Sequence, residues 1–246
     1  VSKPPVDAEA RGRRALWQTA SRQRFATMVG LFNDPTVVQA AHLFMRTNTA
    51  RRIGPAIVLQ RKFQNCATLE AADIKGRRPI LLWSVPGVSA DRKLSFDERH
   101  ATSSVHYVLA GIQPGLHRGG WGLSVTDHAI GRFCQRNRGA DIDAVVREGH
   151  LRLLGAPERS VGAMIEAEHF LIPTTGGGWW ANAMVAKSRD TGNDVLYVRC
   201  HTWLNEHMIH DTQRAAAAEL LTCQPSDRPL FTTLLHPIRG LPDDRR

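Results

Sequence analysis

The stretch VTDHAIGRFCQR, residues 125–136, sets His128, Arg132 and Arg136 four residues apart. On a helix that step puts the three side chains on one face, within reach of a single ligand. Two guanidinium groups offer flat forks that match phosphate oxygens. An imidazole between them can move a proton near neutral pH. The same spacing also describes a solvated basic helix edge. Thr126 or Asp127 can cap this helix, and Ala129, Ile130, Phe133 and Cys134 form its apolar stripe.

A second chemical pattern lies in VLYVRCHTWL, residues 195–204. Strict alternation gives a core face of Leu196, Val198, Cys200, Thr202 and Leu204. The opposite face then carries Tyr197, Arg199, His201 and Trp203. Aromatic platforms, a guanidinium and an imidazole are what a sheet facing RNA would present. An amphipathic strand covered by a helix would read the same way.

Other constellations are weaker. Cys200, His201, His207, His210 and Asp211 cluster in sequence, and His207 and His210 on a helix could share an ion, but no zinc spacing and no HExxH is present. Glu166, Glu168 and His169 would lie on one strand, with Glu166 and Glu168 sharing a face that could ligate Mg²⁺, but an exposed strand edge explains them better. Gly176-Gly177-Gly178 lacks the Lys-Ser/Thr of a phosphate loop and reads as a flexible hairpin tip. There is no GxSxG elbow, and Cys66, Cys134, Cys200 and Cys223 form no CxxC pair. Reduced cytosolic thiols are expected, with neither metal nor other cofactor.

The elements that must position these groups follow from periodicity. Residues 11–32 and 35–46 read as helices separated by Asn33-Asp34-Pro35, with a turn at Gly54-Pro55. AIVLQRKF (56–63), PILLWSV (79–85) and SVHYVLAGI (104–112) read as strands, and GLHRGGWG (115–122) as a loop. The helix that carries His128 precedes another at 141–154. Strands at 163–173, 179–187 and 195–204, joined by turns at 174–178 and 188–194, make antiparallel hairpins. A helix at 212–224 and a Pro-rich tail close the chain. The expected class is α+β: N-terminal helices plus an antiparallel β-meander packed on one or two helices. The expected division is a basic helical arm (1–54), a core holding the site (55–211), and a C-terminal helix and tail (212–246).

At 246 residues the chain can bury a substantial core. Its net charge is +9, and residues 1–62 carry eleven Lys/Arg against three acids. A surplus of that kind favours polyanionic partners and disfavours none of the fold classes. No apolar run reaches the length of a bilayer span and no signal-peptide core is visible, so a membrane role is not expected. The chain starts at Val1 rather than Met, as expected of a segment delivered within a longer protein and acting in the cytoplasm.

SVTDHAIGRFCQRNRGADIDAVVREG, then FLIP, a hairpin and VLYVRCHTWL, resembles the RelE-like members of the barnase/EndoU/colicin/RelE ribonuclease superfold. The likeness spans about residues 121–205. Its motif, His-Ala-x-x-Arg-x-x-x-Arg, fits at His128, Ala129, Arg132 and Arg136; on the last strand the match is one of position, His201 with Arg199 or Thr202. The resemblance implies a bacterial toxin that cleaves RNA without metal. His128 and His201 would be the acid/base pair, and Arg132, Arg136 and Arg199 would hold the phosphate. Tyr197 and Trp203 would stack bases beside Thr202, and Arg22 and Arg24 on the basic arm would grip the RNA backbone. An acidic antitoxin or immunity protein would be a partner. The alternatives are a basic nucleic-acid-binding module without catalysis, an interaction protein docking an acidic partner, and a metal-dependent hydrolase built on His207, His210 and Asp211.

Overall fold

The structure, a computed structural model, describes residues 6–31, 33–46, 53–64, 68–72, 80–87, 101–106, 108–110, 116–118, 121–187, 194–224 and 226–227. In chain order the elements begin with helices α1 (Ala8–Leu31), α2 (Pro35–Arg46) and α3 (Ile53–Phe63). Strands β1 (Thr68–Ala72), β2 (Ile80–Gly87), β3 (Ala101–His106), β4 (Val108–Ala110), β5 (Leu116–Arg118) and β6 (Trp121–Thr126) follow. Then come α4 (Asp127–Arg136), α5 (Ile142–Leu154), α6 (Val161–Glu166), β7 (Phe170–Thr174), β8 (Gly177–Lys187), β9 (Asp194–Asn205) and α7 (Asp211–Leu221). The architecture is α+β. Among the described residues no helix is long and apolar enough to cross a membrane.

The chain divides into two compact units. One unit gathers Val1–Arg22, Pro86–Val105 and Gly120–Phe231; the other gathers Gln23–Val85, His106–Gly119 and Thr232–Arg246. In the second unit α2 packs on α3, and β1 and β4 pair antiparallel with β2 and β5. AIVLQRKF is helical here, which corrects the strand expected from its branched residues. Ala56, Leu59 and Phe63 are fully buried, and steps of three and four are a helical period. Gly54-Pro55 lies in the first turn of α3, where a missing N–H costs no helical hydrogen bond.

The first unit is built around a mixed sheet in the order β3-β6-β9-β8-β7. β7, β8 and β9 form the expected antiparallel meander. β6, however, runs parallel to β9, from Trp121↔Leu196 to Val125↔Cys200. The whole of α4 to β8 lies between these strands, long enough for the crossover a parallel pair needs. The strand expected over 163–173 survives only as β7; α6 occupies 161–166. Glu166 therefore ends a helix, and it shares no strand face with Glu168. Leu116–Arg118 forms a strand where a loop was expected. The turn at 188–193 and the tail beyond 227 lie outside the described residues.

The core beneath α4 and α5 is aromatic. The Phe133 and Trp203 rings meet edge-on at 4.9 Å, and Trp179 and Trp203 at 4.8 Å. Gly149 on α5 lies so close to Trp179 that a Cβ would sit 2.8 Å from its ring. On the other face of the sheet α7 covers Leu171, with Ile209, Ala217, Trp180 and Leu204. The β7–β8 turn is tight rather than loose. Gly176 has φ +78°, and a Cβ on Gly177 would fall 2.1 Å from the Leu204 carbonyl oxygen. A positive φ at Gly176 and close approach at Gly177, not flexibility, require these glycines.

The first half of α1 is part of this unit and holds α4 at both ends. Arg13 donates to the carbonyls of Cys134 (3.1 Å), Asn137 (3.0 Å) and Ala140 (2.8 Å), capping the end of α4 and the turn beyond it. At the other end Gln18 donates to the Asp127 carboxylate and Arg14 to the Asp127 carbonyl. Trp17 donates to Asp143 on α5. Arg13→Ala is expected to lower unfolding free energy by about 2 kcal/mol, since three carbonyls lose a charged donor. Urea denaturation checks this, and an unchanged midpoint would remove Arg13 from the role.

His150 on α5 is buried in the same core, and desolvation pushes its imidazole pKa down to about 3. The folded state thus binds the proton less readily than the unfolded chain, whose histidine titrates near pH 6.5. Stability from this group is full above about pH 6.5 and is lost as pH falls toward 3, by at most about 1.4 kcal/mol per pH unit. His150→Gln should flatten that part of the profile, read from denaturation midpoints between those limits.

Candidate active site

Thr126 is the hinge of the site. It ends β6 and caps α4, its hydroxyl oxygen accepting from the Ala129 N–H at 3.2 Å. The same hydroxyl donates to the His201 carbonyl at 3.3 Å. His128 therefore follows the carboxyl end of β6, while His201 lies within β9 beside Thr126, before that strand ends at Asn205. Ala129, Ile130, Phe133 and Cys134 are buried, as the periodicity required.

Along α4 the expected face is assembled. The Arg132 Nε–H donates to His128 Nε2 at 3.4 Å, and its Nη1 donates to the Gln135 side-chain oxygen at 2.8 Å. An accepted N–H at Nε2 requires the neutral imidazole with its proton on Nδ1. Arg132 is only 4% exposed, so this cation is far less solvated than a basic surface edge would be. Arg136 is half-buried and donates to the Trp203 carbonyl on β9. Burial first, then the charge of Arg132, lowers its guanidinium pKa.

His201 has different neighbours. Its Nε2 lies 2.7 Å from the Asn182 side-chain oxygen on β8. The His169 ring, ahead of β7, meets it edge-on at 5.5 Å and is itself stacked on Trp180 at 5.7 Å with planes 9° apart. His201 thus shares the sheet face of Asn182 and Trp180, whereas α4 packs over Trp179 and Trp203. Arg199 is half-buried and opposite Asn182 in register. Thr202 is half-buried opposite Trp180. His201 therefore points to the face of the sheet opposite the one that α4, the helix of His128, covers.

A bulge explains the departure from strict alternation. Ala181 pairs with Cys200 and Trp180 with Thr202, so β9 carries one extra residue at His201. Beyond it the facing of side chains reverses. Trp203 turns inward to 0% exposure between Phe133 and Trp179, and Thr202 and Leu204 turn out of that core. Trp203 is a core residue and cannot stack a base; the expectation that it does is corrected. Tyr197 is paired with Met184 through its backbone, and its side chain lies outside the described residues.

The remaining expected residues are dispersed. Arg22 is exposed at the end of the first unit, and Arg24 belongs to the second. His207 sits in a short turn of 3-10 helix and His210 precedes α7, so the two do not share a helix. No group of three or more His, Cys, Asp or Glu among the described residues could hold a metal ion. Burial raises the thiol pKa values of Cys134 and Cys200, which makes both poor nucleophiles. Sequence reasoning weighed His169 only as a weak metal ligand and missed Asn182 and Trp180. Asn182 and Trp180 join the site through the pairing of β8 with β9, and His169 through ring contacts with Trp180 and His201, which no local spacing reports.

No protein-family model, no curated protein and no solved structure matches this chain.

The placement of Trp203 has a direct consequence. Trp203→Ala should cost about 3–5 kcal/mol of stability, the range for emptying a buried aromatic position. Equilibrium denaturation checks this; a loss below about 1 kcal/mol would return Trp203 to the surface role.

Proposed function

We propose that this chain is a metal-independent endoribonuclease of the toxin type. The observation that carries the reading is the buried guanidinium of Arg132 against His128 on α4, with His201 tied to the start of the same helix through the Thr126 hydroxyl. His128 is contacted by Arg132, and His201 by Asn182. In the proposed reaction one imidazole takes the proton of a ribose 2′-hydroxyl. The 2′-oxygen attacks the adjacent phosphorus, and the bond from phosphorus to the 5′-oxygen breaks. The other imidazole, protonated, delivers its proton to that oxygen. Arg132, Arg136 and Arg199 would balance the charge on the phosphoryl oxygens. The products are a 2′,3′-cyclic phosphate and a free 5′-hydroxyl. The net charge of +9 supports a polyanionic substrate and an acidic neutralising protein as partner. Action in the cytoplasm is part of the same proposal.

One observation favours a second reading, a nucleic-acid-binding module without catalysis. Arg132 and Arg136 direct donors to Gln135 and to the Trp203 carbonyl, bonds that hold α4 together and to β9. The test is incubation of the purified chain with total RNA in excess chelator, beside His128→Ala and His201→Ala. Cleavage is expected, with each substitution slowing it by about 10²-fold or more. Intact RNA whose gel migration is retarded, and released by salt, would replace the nuclease by the binding module.

A further inference from the structure

We infer that Asn182 is a positioning residue for His201, one that fixes which ring nitrogen carries the proton. A side-chain amide oxygen can only accept, so the ring nitrogen 2.7 Å from Asn182 Oδ1 must bear hydrogen. His201 is then the Nε2–H tautomer, and its lone pair is on Nδ1. Three further features hold the ring. The bulge at Trp180/Ala181 sets its backbone aside from the regular ladder. The Thr126 hydroxyl binds its carbonyl oxygen at 3.3 Å. The His169 ring abuts it edge-on and cannot swing away without leaving the Trp180 face.

The arrangement follows the logic of a general base oriented by a third group. It also gives the two histidines opposite tautomers, since His128 accepts at Nε2. The role in catalysis rests on the ribonuclease reading; the tautomer does not. Among titratable or charged groups, the His169 ring meets that of His201 edge-on and Arg199 stands two residues before it on β9, while α4, packed on β9, carries Asp127, His128 and Arg132. None of these is altered when residue 182 is changed.

The test uses the full chain labelled with ¹⁵N-histidine and two-bond ¹H–¹⁵N correlation spectra across about pH 5 to 9. His201→Gln identifies the His201 signals. The wild-type protein is expected to show the Nε2–H pattern. Asn182→Leu should give a mixture of tautomers. Asn182→Asp is close in shape and places a carboxylate beside the ring, so it should raise the His201 titration midpoint by about one pH unit or more. An Nδ1–H pattern in the wild type would overturn the inference. So would variants that keep the wild-type tautomer and midpoint. In the RNA cleavage assay Asn182→Leu should lower kcat about tenfold or more and leave KM nearly unchanged. If wild type leaves RNA intact while the spectra behave as expected, the ribonuclease reading fails and the positioning role stands.

Discussion

The single residue that β9 carries in excess of β8, at His201, governs both the core and the site of this unit. Without it, strict alternation would turn Trp203 out of the core and leave Phe133 and Trp179 without their third ring. With it, the indole closes the aromatic cluster under α4 and α5, and the imidazole turns to Asn182 on the other face. A bulge disrupts the ladder locally and is kept where it re-aims a side chain. Burial of three large rings stabilises the arrangement, because each contributes several kcal/mol of apolar burial and edge-to-face contact. The same cluster presses on Gly149, so α5 is held against β8 with no room for a side chain there.

The basic helix α4 is set in place from both sides. Its buried stripe rests on β6 and β9, and its two ends are gripped by α1 through Arg13, Arg14 and Gln18. Part of the basic excess of the N-terminal quarter is thus structural. Arg13 satisfies carbonyls that a helix end leaves without partners. Arg132 and Arg136 also bond within the unit, to Gln135 and to the Trp203 carbonyl, yet their guanidinium groups are partly withdrawn from water, which costs free energy.

Two kinds of polar control meet where β6 ends beside His201 of β9. Thr126 joins them through one hydroxyl, which accepts from the helix and donates to the strand. Each imidazole takes its tautomer from its partner, His128 from a donor and His201 from an acceptor. The proton positions follow from hydrogen-bond chemistry alone, because a guanidinium can only donate and an amide oxygen can only accept.

Much of this was legible from residue order, and the limits have a physical cause. The α4 stripe, the four-residue step of His128, Arg132 and Arg136, the caps and the α+β class all depend on local periodicity, which the chain states directly. The helical character of residues 53–63 was hidden because Ile, Val and Phe suit a strand as well as a buried helix face, and only packing against α2 decides. The parallel pairing of β6 with β9, the bulge at His201, and the meeting of His201 with Asn182 and His169 were decided by tertiary structure. They join residues from separate strands and loops, and a one-residue shift in pairing changes which face every later side chain takes. The sequence by itself determined the helix that carries the cations. Only the folded sheet determined what stands beside them.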